Sequence, residues 1–230
     1  ELKMRAATLA WLVALVPPPT TALAVVVREA SYGDLFGMSG TLVEAFAATP
    51  RAERDPTTRA LWALALARRF EAMRNGDLAP HAFLVATTPR GQVVGMSEVG
   101  LLPMPPTRKS GLKTLRSRLS EANARWRGVP LSEVQAFEND VPTIANIAVS
   151  RSARNQSVGR SLVLATVDLL SSQRERWHDP THLYARVTDP AVVGFWTNVG
   201  FGQLSDIPAG ATDVRGQPGT WLRTSLRARS

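Results

Sequence analysis

Apolar and polar positions alternate in short runs along much of the chain, and a helical period takes over between them. Residues 25–29 read as a first strand, broken by Tyr32, Gly33 and Asp34, and residues 34–48 then follow a helical pattern. Asp55 and Pro56 make a helix start, with aspartate as N-cap and proline in the first helical position. The helix they open covers residues 57–74, is rich in Ala, Leu and Arg, and stops at Asn75-Gly76. Residues 81–88 read as a strand, Pro89-Arg90-Gly91 as a turn, and residues 92–101 as the antiparallel partner. Residues 142–149 read as a central strand. A loop over 150–157 leads into a helix over 158–174, where Val158, Leu162, Ala165 and Leu169 keep the helical period. Residues 182–188 form another strand, Asp189-Pro190 opens a short helix reaching Val199, and Gly200, Phe201 and Gly202 return the chain to extended form. Residues 220–227 complete the set as a last strand. Hairpins come early and a strand–helix–strand unit comes late, which is an α+β pattern without internal repeats or a domain break.

Composition narrows the class. With 230 residues, 44% of them apolar and 20% charged, the chain has the make-up of a globular domain with its own core. It has no cysteine, which excludes a disulfide framework, a thiolate nucleophile and cysteine-based zinc sites. His178 and His182 have the spacing of helical metal ligands, but Asp179-Pro180 between them argues against a continuous helix, so no metal site is expected.

The net charge is +8, and it is uneven. Residues 102–137 form a Pro-rich, basic insertion, with an expected helix over 112–127. From Arg108 to Arg127 it carries seven basic residues against one acid, Glu121. Its only aromatic residue in that stretch is Trp126, so it lacks the stacking pattern of a single-strand nucleic-acid binder, and a solvated face is the expected role.

Residues 1–24 have the parts of a targeting segment. Lys3 and Arg5 precede an apolar run over 6–16, Pro17 to Pro19 break it, and Ala22 and Ala24 suit a signal peptidase. The run is too short to span a bilayer as a helix. The mature chain is therefore expected to be a single domain over 25–228 without a transmembrane span. Such a segment leads into the secretory route, with a plastid as one destination; secretion and a cytoplasmic location are the alternatives. Nothing in the sequence sets the oligomeric state.

The chemistry concentrates between Val149 and Leu162. A strand ends there, a loop of small polar residues turns, and a helix begins. The first amides of a helix have no partner within it and sit at the positive end of its dipole, an arrangement that binds phosphate. Small residues let the backbone approach closely, and Arg154 and Arg160 add positive charge.

This segment resembles the pyrophosphate-binding motif of the GNAT superfamily of N-acetyltransferases, Gln/Arg-x-x-Gly-x-Gly/Ala after a strand and opening a helix. Here it reads Arg154, Asn155, Gln156, Ser157, Val158 and Gly159, with Ser157 in place of the middle glycine. A second stretch, Asp189 to Phe201, resembles the family's late pattern Asn-x-x-Ala-x-x-x-Tyr-x-x-x-Gly-Phe. It ends on Gly200-Phe201, with Asp189, Val192 and Trp196 at the other three positions. The strand Ile144 to Val149 is similar to that of cyanobacterial and plastid members.

The resemblance implies a mixed, mainly antiparallel central sheet flanked by helices. It implies direct transfer of an acetyl group from acetyl-CoA to a primary amine, with no acyl-enzyme and no metal. The acceptor is a protein N-terminus, a lysine or a small amine, and a protein or peptide fits the class. The amides of Ile147, Ala148 and Val149 would position acetyl-CoA on a strand splayed from its neighbour. Residues Arg154, Asn155, Gln156, Ser157, Val158, Gly159 and Arg160 would hold its pyrophosphate, with Asp189 and Trp196 nearby. Glu98 is the first candidate general base, followed by Glu138 and Asp140. Two other readings stay open: a CoA-binding protein of this fold with little transfer activity, motivated by Ser157, Asp189 and Trp196, and a basic nucleic-acid-binding module.

Overall fold

Seven strands form one sheet in the order β1-β2-β3-β4-β5-β7-β6, and every neighbouring pair is antiparallel except β4 and β5. The computed structural model describes residues 23–46, 55–76, 80–103, 140–204 and 219–226. The expected targeting segment up to residue 22, the expected helix over 112–127 and Glu138 lie outside the described residues.

The strands are β1 (Val26–Glu29), β2 (His81–Thr87), β3 (Val93–Pro103), β4 (Asp140–Val149), β5 (His182–Val187), β6 (Gly202–Gln203) and β7 (Thr220–Ser225). The helices are α1 (Leu35–Phe46), α2 (Pro56–Arg74), α3 (Val158–Ser172) and α4 (Val193–Asn198). Each expected element over the described residues is present, with ends moved by one to a few residues, as fraying and local capping commonly do.

The local causes are visible. Asp55 caps α2 by accepting hydrogen bonds from the amides of Thr57 at 3.1 Å and Thr58 at 3.0 Å, and Pro56 occupies the first helical turn. The turn between β2 and β3 closes through Gly91 N–H to Thr88 O at 2.8 Å and Thr88 N–H to Gln92 O at 2.9 Å. In β2 the residues Ala82 through Ala86 are all buried, so the strand reads as an apolar run because both faces of the sheet are covered there.

Two cores sit on opposite faces. On one, Met38 and Leu42 of α1 and Leu66 and Phe70 of α2 pack on Phe83, Val85, Met96 and Ala148. On the other, Val158, Leu162 and Leu170 of α3 pack on Leu84, Val94, Ile144, Leu183 and Val187. Burying such side chains stabilises by about 1.5–3 kcal/mol each, enough to fix which face each helix covers. The sheet thereby holds the start of α3 beside the end of β4.

Candidate functional site

The site begins where β4 and β5 part. Their parallel pairing consists of Thr143 with Tyr184 and Ile144 with Ala185. Antiparallel pairing with β3 continues along β4 to Val149, with a bulge that leaves Ala145 unmatched between Ile144 and Asn146. The second half of β4 is therefore bonded on one side only, and a gap opens toward β5. Ser150 N–H bonds to Val94 O at 2.9 Å, on the β3 side. Backbone groups alternate along a strand, so Ala148 turns its amide to β3 while Ile147 and Val149 turn theirs to the gap. Of the three amides expected to position acetyl-CoA, two face the gap, and Ala148 belongs to the ladder and the core.

Beyond β4 a single 3-10 turn over Arg151–Ala153 leads to the loop. Glu44 of α1 accepts a hydrogen bond from the Arg151 amide, tying that helix to the loop. Arg154 lies on the surface and donates from Nε to the Val149 carbonyl at 3.3 Å. Gln156 donates to the Ser152 carbonyl at 2.8 Å. Asn155 and Ser157 both hold left-handed backbone conformations, with φ of 60° and 62°. This is the geometry that turns successive amides toward one point.

Ser157 is the N-cap of α3, and its side chain makes no capping bond. The helix ladder starts with Ser161 N–H to Ser157 O at 3.0 Å, so the amides of Val158, Gly159 and Arg160 have no partner within the helix. No acidic residue lies in the first turn, and Arg160 is exposed beside it. A Cβ on Gly159 would come within 3.2 Å of the Phe195 ring, so glycine lets the helix start pack against α4. These are the features a pyrophosphate requires: free amides, a positive helix end and close backbone approach. They fit the cofactor expected from the sequence.

Asp189 and Trp196 serve the architecture. Asp189 accepts from the Ala191 amide at 2.9 Å and caps the turn over Pro190–Val192. Trp196 is buried, its ring meeting Phe195 at 5.3 Å and Phe201 at 4.9 Å between centroids. Gly200, at φ 97°, ends α4 so that Phe201 folds back onto Trp196. The indole is packed between Phe195 and Phe201.

On the face covered by α1 and α2 lies a buried polar cluster. Glu98 of β3 is only 3% exposed. Its Oε1 accepts from Arg69 of α2 at 2.6 Å and lies 3.0 Å from His81 Nε2 of β2. Its Oε2 accepts from the Asn146 side-chain amide of β4. Burial alone would push the Glu98 pKa up. His81, the Arg69 guanidinium and Asn146 together outweigh it and hold the carboxyl below its ordinary value. Glu98 is thus an ionised anchor with both oxygens engaged, and a weak base. Asp140 stands at the start of β4, opposite Pro103.

Sequence reasoning placed Glu98 and missed its partners. The available signal was an acid at an inward position of an apolar strand, between Met96 and Gly100, which must find charge or hydrogen-bond partners.

No protein-family model matches the chain, and no curated protein matches it. Solved structures do. The Escherichia coli GNAT family N-acetyltransferase YhbS, in complex with CoA, aligns with a TM-score of 0.50 at 18% identity, over 91% of this chain and 86% of that one. The PaiA N-acetyltransferase of Thermoplasma acidophilum, in complex with coenzyme A, gives 0.51 at 12% identity, over 88% and 99%. The fold is the GNAT fold. A Sinorhizobium meliloti GNAT superfamily phosphinothricin acetyltransferase in complex with acetyl-CoA gives 0.50 at 17% identity, over 88% of each chain. Within the GNAT fold of this chain, the gap between β4 and β5 and the start of α3 lie next to each other.

Proposed function

We propose that the chain is an acetyl-CoA-dependent N-acetyltransferase acting by direct attack of a primary amine. One observation carries the reading. The strand that loses its partner after two residue pairs runs straight into a loop with two left-handed residues and a helix start with unpartnered amides. That is a slot for an extended ligand with a pyrophosphate at its end. The CoA and acetyl-CoA complexes of structures with this fold support the same ligand.

Acetyl-CoA supplies a thioester that a neutral amine attacks; the C–N bond forms, the C–S bond breaks, and the amine gives one proton to water. The residues of this chain bind and orient. The amides of Val158, Gly159 and Arg160 would hold the pyrophosphate, with Arg160 adding charge. The gap-facing amide of Ile147 or Val149 would polarise the thioester oxygen. The departing thiolate is weakly basic and takes its proton from water, since the buried indole of Trp196 offers no acid.

The buried Trp196 also favours a second reading, a CoA-binding protein with little turnover. A thiol-release assay separates the two. The full chain is mixed with acetyl-CoA and a panel of free-N-terminal tripeptides, lysine and spermidine. Amine-dependent release of CoA thiol is the expected result; tight acetyl-CoA binding with no release on any amine would favour the second reading.

A further inference from the structure

A carboxylate can only accept hydrogen bonds, so the Asn146 side chain must present its nitrogen to Glu98 Oε2. Glu98 in turn is held from the other side by Arg69 and His81. Three residues, from α2, β2 and β3, therefore fix the amide group of Asn146 in one orientation. The consequence lies at its other end. Asn146 Oδ1 is turned away from Glu98, and among the described residues it accepts no hydrogen bond. It is also not among the described buried polar atoms that lack a partner, so it reaches solvent.

The position matters as much as the orientation. Asn146 directly follows the bulge residue Ala145, two residues beyond Ile144, the last residue of β4 to pair with β5. Its side chain shares the face of Glu98, the face covered by α1 and α2, while α3 packs on the opposite face. A ligand whose pyrophosphate lies at the start of α3 and whose far end enters the gap brings that end to Asn146 from the other face.

We propose that Asn146 Oδ1 accepts a hydrogen bond from the attacking nitrogen of the acceptor amine, and that Glu98 is the positioning residue that keeps the Asn146 amide turned for it. This rests on the reading of the chain as an acetyltransferase. A neutral primary amine has two N–H groups and one lone pair. Holding one N–H on a fixed acceptor leaves the lone pair to be aimed at the thioester carbon. A carbonyl suits this task because it binds the N–H without taking the proton. It also explains a buried carboxylate whose two oxygens are already engaged.

The test needs no knowledge of the natural acceptor. Two CoA derivatives carry on sulfur either CH2–CO–NHCH3 or CH2–CO–N(CH3)2. They place a nitrogen where the amine attacks, with one N–H in the first and none in the second. The full chain is titrated with each by calorimetry, with CoA alone as reference ligand. The wild type is expected to prefer the N–H derivative by about tenfold or more. In Asn146→Ala and in Asn146→Ser that preference, a ratio within each protein, falls to about threefold or less. Equal binding of the two derivatives to the wild type overturns the proposal, as does a preference that survives in both variants. Binding of neither derivative nor CoA refutes the acetyltransferase reading itself, and the role of Asn146 falls with it.

Discussion

Ser157 holds a backbone conformation, φ 62° and ψ 6°, that an L-residue adopts at a cost of about 1–2 kcal/mol. Glycine would remove that strain but give back about 0.5–1 kcal/mol in unfolded-state freedom. Ser157→Gly is therefore expected to shift stability by less than about 1 kcal/mol in thermal unfolding and to bind acetyl-CoA at least as well. Ser157→Val, β-branched in the same conformation, is expected to destabilise by about 1–3 kcal/mol. Asp34 is a residue-scale device of another kind. Arg28 donates to both of its oxygens at 2.8 Å, and the Ser31 amide and hydroxyl add two more bonds. The Arg28 hydrogen bonds, working against burial, bring its pKa from 3.8 to about 2. The folded-state value lies below the unfolded one, so this contribution is present above about pH 4 and is lost as pH falls through about 2. With Arg28 partly exposed, it amounts to about 1–2 kcal/mol. Asp34→Asn should show that deficit at pH 7 in chemical denaturation, and the gap to wild type should close toward pH 2.

At the scale of elements, the Glu98 cluster joins α2, β2, β3 and β4. Glu98→Ala would leave the Arg69 guanidinium, His81 and the Asn146 amide around an empty buried position, and a loss of about 3–5 kcal/mol is expected in denaturant unfolding. A loss below about 1 kcal/mol would mean the cluster does not hold these elements together. The elements themselves were legible in the sequence. Asp55-Pro56 announced the start of α2, Pro89-Arg90-Gly91 the β2–β3 turn, and the period from Val158 to Leu169 the body of α3. The cluster was not legible, because Arg69, His81 and Asn146 lie 29, 17 and 48 positions from Glu98. The register of three strands, including the bulge at Ala145, and the packing of α2 on the sheet bring them together. Trp196 shows the same limit: its spacing matched a functional position, while the folding back of Phe201 decided where its ring went.

At the scale of the molecule, the GNAT fold places the start of α3 and the unpaired half of β4 side by side because the sheet carries helices on both faces. Among the described residues no helix is long and apolar enough to cross a membrane, and no group of three metal-ligating side chains is present. The net charge of +8 favours a ligand with several phosphate charges and predicts that its affinity weakens with salt. The proposed activity depends on acetyl-CoA binding in this gap and loop. Calorimetric titration of the full chain with acetyl-CoA tests it most directly. One site per chain is expected, with a dissociation constant of about 1–100 μM, about −8 to −5.5 kcal/mol. A folded sample that shows no binding up to about 1 mM would contradict it.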